Sequence, residues 1–219
     1  MTTLHQQLLN AFKRHKPERV PSIDKLREVN RVGNLRWAEY DRRGVFAAGN
    51  RVLDVGCAWG ALCCGMPPEI EYVGLDVNLP SLRIAADVFG ERGTFLHIDV
   101  RADKYNGDGK LNAVTTAFQL PPETFDAALC LSLFTRFTDS NAVRRYLLEV
   151  RRCLAPGGRL LATWFRSPPN THGGTPRRFV YREQEIRELL DEWTWLDDWG
   201  GRTTRHDDRW HTLVEKPAA

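Results

Sequence analysis

The sequence predicts an α/β fold, in which a mostly parallel sheet is covered by helices on both faces. Short apolar stretches of strand length alternate with segments of helical periodicity between about residues 50 and 165. The first stretch, Arg51–Val55, runs directly into a loop that contains glycine. A second short apolar strand ends at Asp76, twenty residues after Gly56. Units of this kind place their loops at the carboxyl edge of a parallel sheet, which is where ligands bind.

Two helices are predicted before the first strand. Residues 4–12 have apolar side chains at helical spacing, and Pro17 and Pro21 end that helix. A second helix is predicted over residues 34–48, with Gly49 just beyond its end. The side chains expected to face inward from this second helix are Leu35, Ala38 and Phe46.

The central elements alternate regularly between strand and helix. One helix is predicted over Leu79–Phe89, with Leu82, Ala85, Ala86 and Phe89 on one side. Another begins after Asp139, whose side chain caps it, and runs to Leu154. The strands that alternate with these helices are predicted over residues 51–55, 72–75, 94–98, 124–131 and 159–164.

The C-terminal part predicts a closing antiparallel hairpin. A last helix over residues 183–191 is followed by two strands, over residues 193–199 and 210–216. The polar segment around His206 joins these two strands.

Two long segments have no regular periodicity. Residues 101–122 follow the third predicted strand, and residues 166–178 follow the fifth. Both leave the carboxyl edge of the sheet, so we expect them to cover the ligand crevice there.

Bulk properties exclude several classes of function. The 219 residues carry a net charge of +3, which is too small to indicate a nucleic-acid partner. The opening residues are too polar for a signal peptide, and the longest apolar run, residues 127–134, is too short to span a bilayer. The expectation is therefore a cytoplasmic protein with no membrane or nucleic-acid partner, and the oligomeric state is left open. The five cysteines have no disulfide or metal-binding spacing, so we expect reduced, buried thiols and no metal.

The glycine loop and the acidic residue that follows it indicate a nucleoside site. Asp76 ends the second strand and is placed to accept both hydroxyls of a ribose. A dinucleotide loop needs three glycines in the pattern G-x-G-x-x-G, but Ala58 and Ala61 occupy the second and third positions. The loop instead reads Asp54-x-Gly56-x-x-x-Gly60, which suits a positively charged ligand without phosphate. S-adenosylmethionine has this chemistry, because it carries a sulfonium and an ammonium group.

Residues 52–60 resemble the first motif of the class I S-adenosylmethionine-dependent methyltransferases, in which glycine usually stands where this chain has Ala58. Three further segments resemble later motifs of that family in the right order, at residues 94–100, 124–131 and 154–164. The resemblance implies a doubly wound, mostly parallel, seven-stranded Rossmann-like sheet with a C-terminal antiparallel hairpin. It further implies one methyltransferase domain over residues 50–219, with residues 1–49 as a helical cap belonging to the same domain.

The same resemblance implies a set of cofactor-binding residues. Asp99 and Val100 stand where the family holds the adenine, while Trp59 either packs on the cofactor or fills the joint between strand and helix. Asp54 is expected to act mainly as a structural acceptor for the loop, and Arg31 either pairs with the cofactor carboxylate or remains solvated. The full set is Arg31, Asp54, Gly56, Cys57, Ala58, Trp59, Gly60, Asp76, Val77, Asp99, Val100, Leu131 and Ser132.

The sequence does not identify a general base. Methyl transfer is an in-line displacement that needs alignment and exclusion of water, and only an acceptor that must lose a proton needs a base. The weak candidates for catalytic roles are Arg136, His172 and Tyr40. An arginine cannot serve as a base, but the planar guanidinium of Arg136 can bind an anionic group on the acceptor.

Several functions stay open beside a small-molecule methyltransferase, whose acceptor is either anionic or neutral. An RNA or protein methyltransferase is the first alternative. Residues 131–134, however, lack the Asn- or Asp-Pro-Pro-aromatic segment of adenine-N methylases, and the chain has no Pro-Cys pair. A protein that binds S-adenosylmethionine without catalysis is the second alternative. A nicotinamide dehydrogenase is the third, and the missing glycines argue against it.

Overall fold

The computed structural model describes residues 3–47, 49–166, 173–175, 178–200 and 209–218. The chain forms two compact units, Met1–Lys110 and Leu111–Ala219. Each unit combines parallel strands with flanking helices. The predicted fold class, a mostly parallel α/β sheet closed by antiparallel C-terminal strands, is confirmed.

The first unit contains three parallel strands in the order β3–β2–β1. They are β1 (Arg51–Val55), β2 (Glu71–Asp76) and β3 (Gly93–His97). All residues of β1 after Arg51, and the four central residues of β2, are buried, which explains their continuous apolar sequences. The register pairs Asp54 with Gly74 and Asp76 with His97, so the carboxyl ends of the three strands lie along one edge.

Three α-helices accompany these strands. They are α1 (Leu4–His15), α2 (Ile23–Arg42) and α3 (Leu79–Phe89). Each begins at a side-chain cap, since Thr3, Ser22 and Asn78 accept hydrogen bonds from the backbone N–H groups three residues later. The prediction for α3 is confirmed at both ends, and α1 extends three residues beyond its predicted end.

The predicted bounds of the second helix were wrong. Helix α2 begins eleven residues earlier than expected and ends at Arg42, because Gly44 adopts a left-handed backbone (φ 66°) that breaks the helix. Leu35 is 58% exposed and Ala38 is also exposed, whereas Phe46 is buried beyond the helix. The residues that face inward from α2 are Leu26, Gly33, Trp37 and Tyr40.

Helix α1 packs on α3 and on the loop after β1. The ring of Phe12 contacts Trp59 edge-on, with 5.4 Å between centroids. Arg14 Nη1 and His15 Nε2 both contact the Asp87 carboxylate, at 2.7 and 2.8 Å. An aromatic contact, the Arg14–Asp87 ion pair and the His15–Asp87 hydrogen bond therefore fix the C-terminal half of α1 within the first unit.

The second unit is built around β5 (Leu154–Arg166). Strand β4 (Phe125–Cys130) and the short β7 (Arg178–Tyr181) pair parallel with it, and β6 (Gly173–Thr175) pairs antiparallel with β7. Strand β9 (Arg209–Glu215) runs antiparallel to β5, and β8 (Thr194–Gly200) pairs with β9. The predicted antiparallel pairing of the last two strands is thus confirmed, and the segment around His206 that was predicted to join them lies outside the described residues. The described chain has two short strands, β6 and β7, beyond the seven predicted.

Two helices belong to the second unit, α4 (Ser140–Cys153) and α5 (Glu183–Leu189). Asp139 caps α4 as predicted, because its Oδ1 accepts from Asn141 N at 2.8 Å. The apolar side chains that share one face of α4 are buried, namely Val143, Tyr146, Leu147 and Val150. Close by, Glu149 on α4 accepts hydrogen bonds from Phe118 N and from Arg152, which fastens the irregular segment before β4 to the helix.

The cysteine prediction is confirmed, since all five thiols are free and buried. Among the described residues, no helix is long and apolar enough to cross a membrane.

Candidate functional site

The loop after β1 turns tightly because three of its residues adopt left-handed backbone conformations. Gly56 (φ 87°) and Gly60 (φ 75°) do so without a steric penalty. Ala58 adopts the same conformation (φ 51°) at a steric cost, because its Cβ atom is crowded there, and this explains physically why glycine is usual at that position. The Gly56 and Cys57 N–H groups donate to Leu75 O at 2.7 and 3.3 Å, so the loop is tied to the end of β2.

The Asp76 carboxylate lies at that same end and is held on both oxygens. Ala58 N donates to Oδ2 at 2.8 Å, and Asn78 N donates to Oδ1 at 2.7 Å. Burial raises the pKa of Asp76, while these two backbone donors oppose the rise. Val77 N–H is a third backbone donor to this carboxylate. An ionised carboxylate offers about four acceptor positions, so capacity for a ligand hydroxyl remains.

Asp54 lies in β1, two residues before Gly56, and its side chain is buried. Tyr72 Oη donates to Asp54 Oδ2 at 2.6 Å, and both side chains are buried. Burial raises the pKa of Asp54 to about 7, against the lowering effect of the Tyr72 hydrogen bond. In the described structure Asp54 forms no ion pair. Tyr72 was not predicted as the partner of Asp54. The strand register accounts for the contact, because Tyr72 lies two residues before Gly74, which pairs with Asp54.

The segment after β3 is organised by Asn106. Its Nδ2 donates to Asp99 Oδ1 at 2.9 Å and to Val100 O at 3.1 Å, and the bond to Asp99 lowers the pKa of that carboxyl. Asn78 Nδ2 donates to Tyr105 O at 3.0 Å, which joins this segment to the start of α3. The predicted adenine-binding pair, Asp99 and Val100, therefore lies on a loop connected to the residues that hold Asp76.

Other predicted residues lie further from this cluster or are engaged elsewhere. Arg31 is exposed on α2 and binds Glu28 through two hydrogen bonds of 2.8 and 2.7 Å. Tyr40 is 2% exposed, and Trp59 contacts Phe12 of α1. Val77 O lies 3.1 Å from the ring nitrogen of His97.

The remaining predicted residues belong to the second unit, except that His172 falls outside the described residues. Leu131 and Ser132 follow β4, and Ser132 has a left-handed backbone (φ 58°). Three hydrogen bonds hold Ser132. Its backbone N donates to Thr163 Oγ1 at 2.6 Å, and its carbonyl accepts from Thr135 Oγ1 at 2.9 Å. Its Oγ accepts from Arg209 Nη1 at 3.0 Å. Such strain in a non-glycine residue is concentrated at functional sites.

Arg136 lies four residues beyond Ser132, in a short 3₁₀ turn, and its side chain is exposed. Arg209, which was not predicted as a site residue, is partly buried and lies opposite Phe165 near the carboxyl end of β5. Pairing between β9 and β5 brings this second guanidinium to the end of β4, so no local sequence pattern could have indicated it.

A cavity of about 550 Å³ opens at the other end of the strands in the first unit. It is lined by the beginnings of β2 and β3, including Glu71 and Gly93, and thus lies away from Asp76. Among the described residues, no group of three His, Cys, Asp or Glu side chains is arranged to hold a metal ion.

The sequence of this chain is similar to those of known methyltransferases. A family model described as a methyltransferase domain matches residues 53–160. The demethylmenaquinone methyltransferase of Thermus thermophilus is 32% identical over 176 residues, covering 75% of this chain and 70% of that protein. The ubiquinone biosynthesis O-methyltransferase of Dechloromonas aromatica is 31% identical over 145 residues, covering 65% of this chain and 55% of that protein.

A solved structure agrees at the level of the fold. The N-methyltransferase NodS of Bradyrhizobium japonicum, in complex with S-adenosylhomocysteine, superposes with a TM-score of 0.61 at 17% sequence identity. The match covers 83% of this chain and 86% of that structure.

Proposed function

This chain belongs to the class I S-adenosylmethionine-dependent methyltransferase family, and we propose that it transfers the methyl group to a small-molecule acceptor that carries an anionic group. The observation that carries the cofactor assignment is the Asp76 carboxylate, fixed at the end of β2 by the N–H groups of Ala58 and Asn78.

The residues of the first unit fit the cofactor chemically. Asp76 would accept the ribose hydroxyls, and the tight loop from Gly56 to Gly60 would admit the methionine part close to the backbone. The Asp76 carboxylate, partly buried at the end of β2, favours a cationic ligand over a phosphate. Val77 and the loop of Asp99 and Val100 would hold the adenine. When bound, the cofactor supplies an activated methyl group, and the protein residues bind it, orient it and exclude water.

Two relatives support a small-molecule acceptor, because their names refer to demethylmenaquinone and to ubiquinone biosynthesis, whereas a third, 24% identical, is named as a tRNA methyltransferase. An anionic group on the acceptor is supported by two arginines near the carboxyl end of β4. Arg136 is exposed, and Arg209 is oriented by the Ser132 hydroxyl at 3.0 Å. Guanidinium groups bind carboxylates and phosphates through paired hydrogen bonds. Arg136→Ala is expected to weaken acceptor binding and to spare cofactor binding, whereas Arg136→Lys should restore only part of the loss.

Calorimetric titration tests the cofactor site. S-adenosylmethionine and S-adenosylhomocysteine should bind, and NAD should not. Asp76→Ala should weaken binding about tenfold or more, since two hydrogen bonds to a charged group are lost. Asp24→Asn is the matched control, because Asp24 is an exposed carboxylate of the same unit. Equal binding of NAD, or unchanged affinity in Asp76→Ala, would contradict the assignment.

The acceptor class is tested with cofactor labelled by deuterium in its methyl group. The protein is incubated with cell extract, and the extract is then separated into small molecules, RNA and protein. The proposal predicts that the label enters an acidic small molecule. Label in RNA or protein would replace the proposed acceptor class while leaving the cofactor assignment intact.

A further inference from the structure

The N-terminal helix ends beside the residues that hold Asp76. Lys16, the C-cap residue of α1, donates from Nζ to Ser81 Oγ at 2.7 Å. Ser81 N in turn donates to Asn78 Oδ1 at 3.0 Å, and Asn78 N donates to Asp76 at 2.7 Å. Lys16 and Asp76 are therefore linked through two residues at the beginning of α3.

The position of Lys16 is set independently of Asp76. Phe12 packs on Trp59, and Arg14 and His15 both bind Asp87 on α3. These contacts fix the last turn of α1, and the hydrogen bond to Ser81 then holds the Lys16 ammonium.

Lys16 keeps hydrogen-bonding capacity at this place. In the described part of the chain, Ser81 Oγ is the one acceptor within hydrogen-bonding distance of Nζ, and Lys16 forms no direct ion pair with Asp76. An ammonium has three N–H donors, so two are available to a ligand. Burial is the main cause that lowers the pKa of Lys16, followed by the charge of Arg19, while the charges of Glu18 and Asp76 raise it. A half-buried ammonium gains from an added acceptor.

We propose that Lys16 is a further cofactor-binding residue. Its ammonium donates a hydrogen bond to the oxygen of a ribose hydroxyl, and the O–H of the same hydroxyl donates to Asp76. This inference rests on the proposed function, in which Asp76 binds the ribose. A hydroxyl is both donor and acceptor, and a carboxylate beside it satisfies only the donor. An ammonium anchored on Ser81 satisfies the acceptor. Helix α1 is then part of the cofactor site and contributes to affinity for the nucleoside.

The test uses the full chain and measures affinity. S-adenosylhomocysteine is titrated into wild type, Lys16→Met and Lys16→Arg. Lys13→Met is the matched control, since Lys13 is exposed on the same helix. Lys16→Met should weaken binding about tenfold, the loss expected when a charged donor is removed. Lys16→Arg should stay within about threefold of wild type, because it keeps charged donors, and so should Lys13→Met.

Analogues of the ligand separate a direct contact from a displaced helix. The 2′-deoxy and 3′-deoxy forms of S-adenosylhomocysteine are titrated into wild type and Lys16→Met. If Lys16 contacts a hydroxyl, removing that hydroxyl costs less affinity in Lys16→Met than in wild type, so the two changes are not additive. If Lys16→Met weakens all three ligands by the same factor, or binds S-adenosylhomocysteine as Lys13→Met does, the inference is wrong. Failure of wild type to bind S-adenosylhomocysteine would instead overturn the proposed function.

Discussion

The buried pair of Asp54 and Tyr72 predicts a specific pH dependence of stability. Burial raises the pKa of Asp54 from 3.8 to about 7 in the folded protein. Between these values the folded state keeps a proton that the unfolded chain has released. The folded state therefore binds more protons, and the free energy of unfolding falls as pH rises. The stabilisation is complete below about pH 4 and is lost as pH rises through about 7.

The magnitude follows from the shift. About three pH units at 1.36 kcal/mol each correspond to about 4 kcal/mol in total. Asp54→Asn removes this titration, and the amide oxygen can still accept the hydrogen bond from Tyr72 at the place where Asp54 accepts it at 2.6 Å. The unfolding free energy of Asp54→Asn relative to wild type should therefore increase by about 3 kcal/mol between pH 5 and pH 8.

Urea titrations at pH 5, 6, 7 and 8 measure this difference directly. Any constant offset, such as an unsatisfied amide N–H in the variant, does not affect the result, because the prediction concerns the change with pH. Asp24→Asn serves as a control, since it removes an exposed carboxylate and should give a nearly constant offset. If the curves of wild type and Asp54→Asn run parallel across the pH range, the Asp54 carboxyl titrates normally and the reasoning fails.

Two further predictions concern stability at fixed pH. Ala58→Gly removes the left-handed strain at φ 51° but adds freedom to the unfolded chain, so the free energy of unfolding should rise by about 0–1 kcal/mol, whereas Ala58→Val should lower it by more than about 1 kcal/mol. Thermal melts check both, and a clear loss in Ala58→Gly would contradict the account of the loop. Glu149→Gln removes the charge that binds Arg145 and Arg152 at 3.0 and 2.8 Å, and the side chain is only 5% exposed. It should lower the free energy of unfolding by about 2–4 kcal/mol, measured from the urea midpoint.

The central strands and helices were predictable from the sequence because their burial is continuous. The bounds of α3 match the prediction at both ends, and β1 contains four consecutive buried residues that read directly as an apolar run. Helix α2 was not predictable to the same degree. Its inward residues include Gly33, which lies so close to the Cys64 carbonyl that a Cβ atom would clash. A glycine does not count as an apolar residue in a helical periodicity pattern, so this buried position was not recognised.

The candidate site was partly predictable for a similar reason. Asp76 follows from strand order and spacing, which local sequence contains. Tyr72, Lys16 and Arg209 were missed because each acquires its partner through tertiary structure. Strand register brings Tyr72 to Asp54, and the packing of α1 on α3 brings Lys16 to Ser81. The pairing of β9 with β5 brings Arg209 to Ser132.

Because its five native thiols are buried, the chain is suited to site-specific labelling at an introduced cysteine. Burial raises the pKa of Cys64 and Cys153 to about 11, so at pH 7 only about one such thiol in ten thousand is a reactive thiolate, and Cys57 is shifted upward as well. Maleimide and iodoacetamide reagents should leave the native folded chain unmodified. A single cysteine introduced at an exposed position, such as Lys13 on α1, would then be the principal site of modification. A fluorophore placed there would report on the N-terminal helix without any of the native cysteines having to be removed.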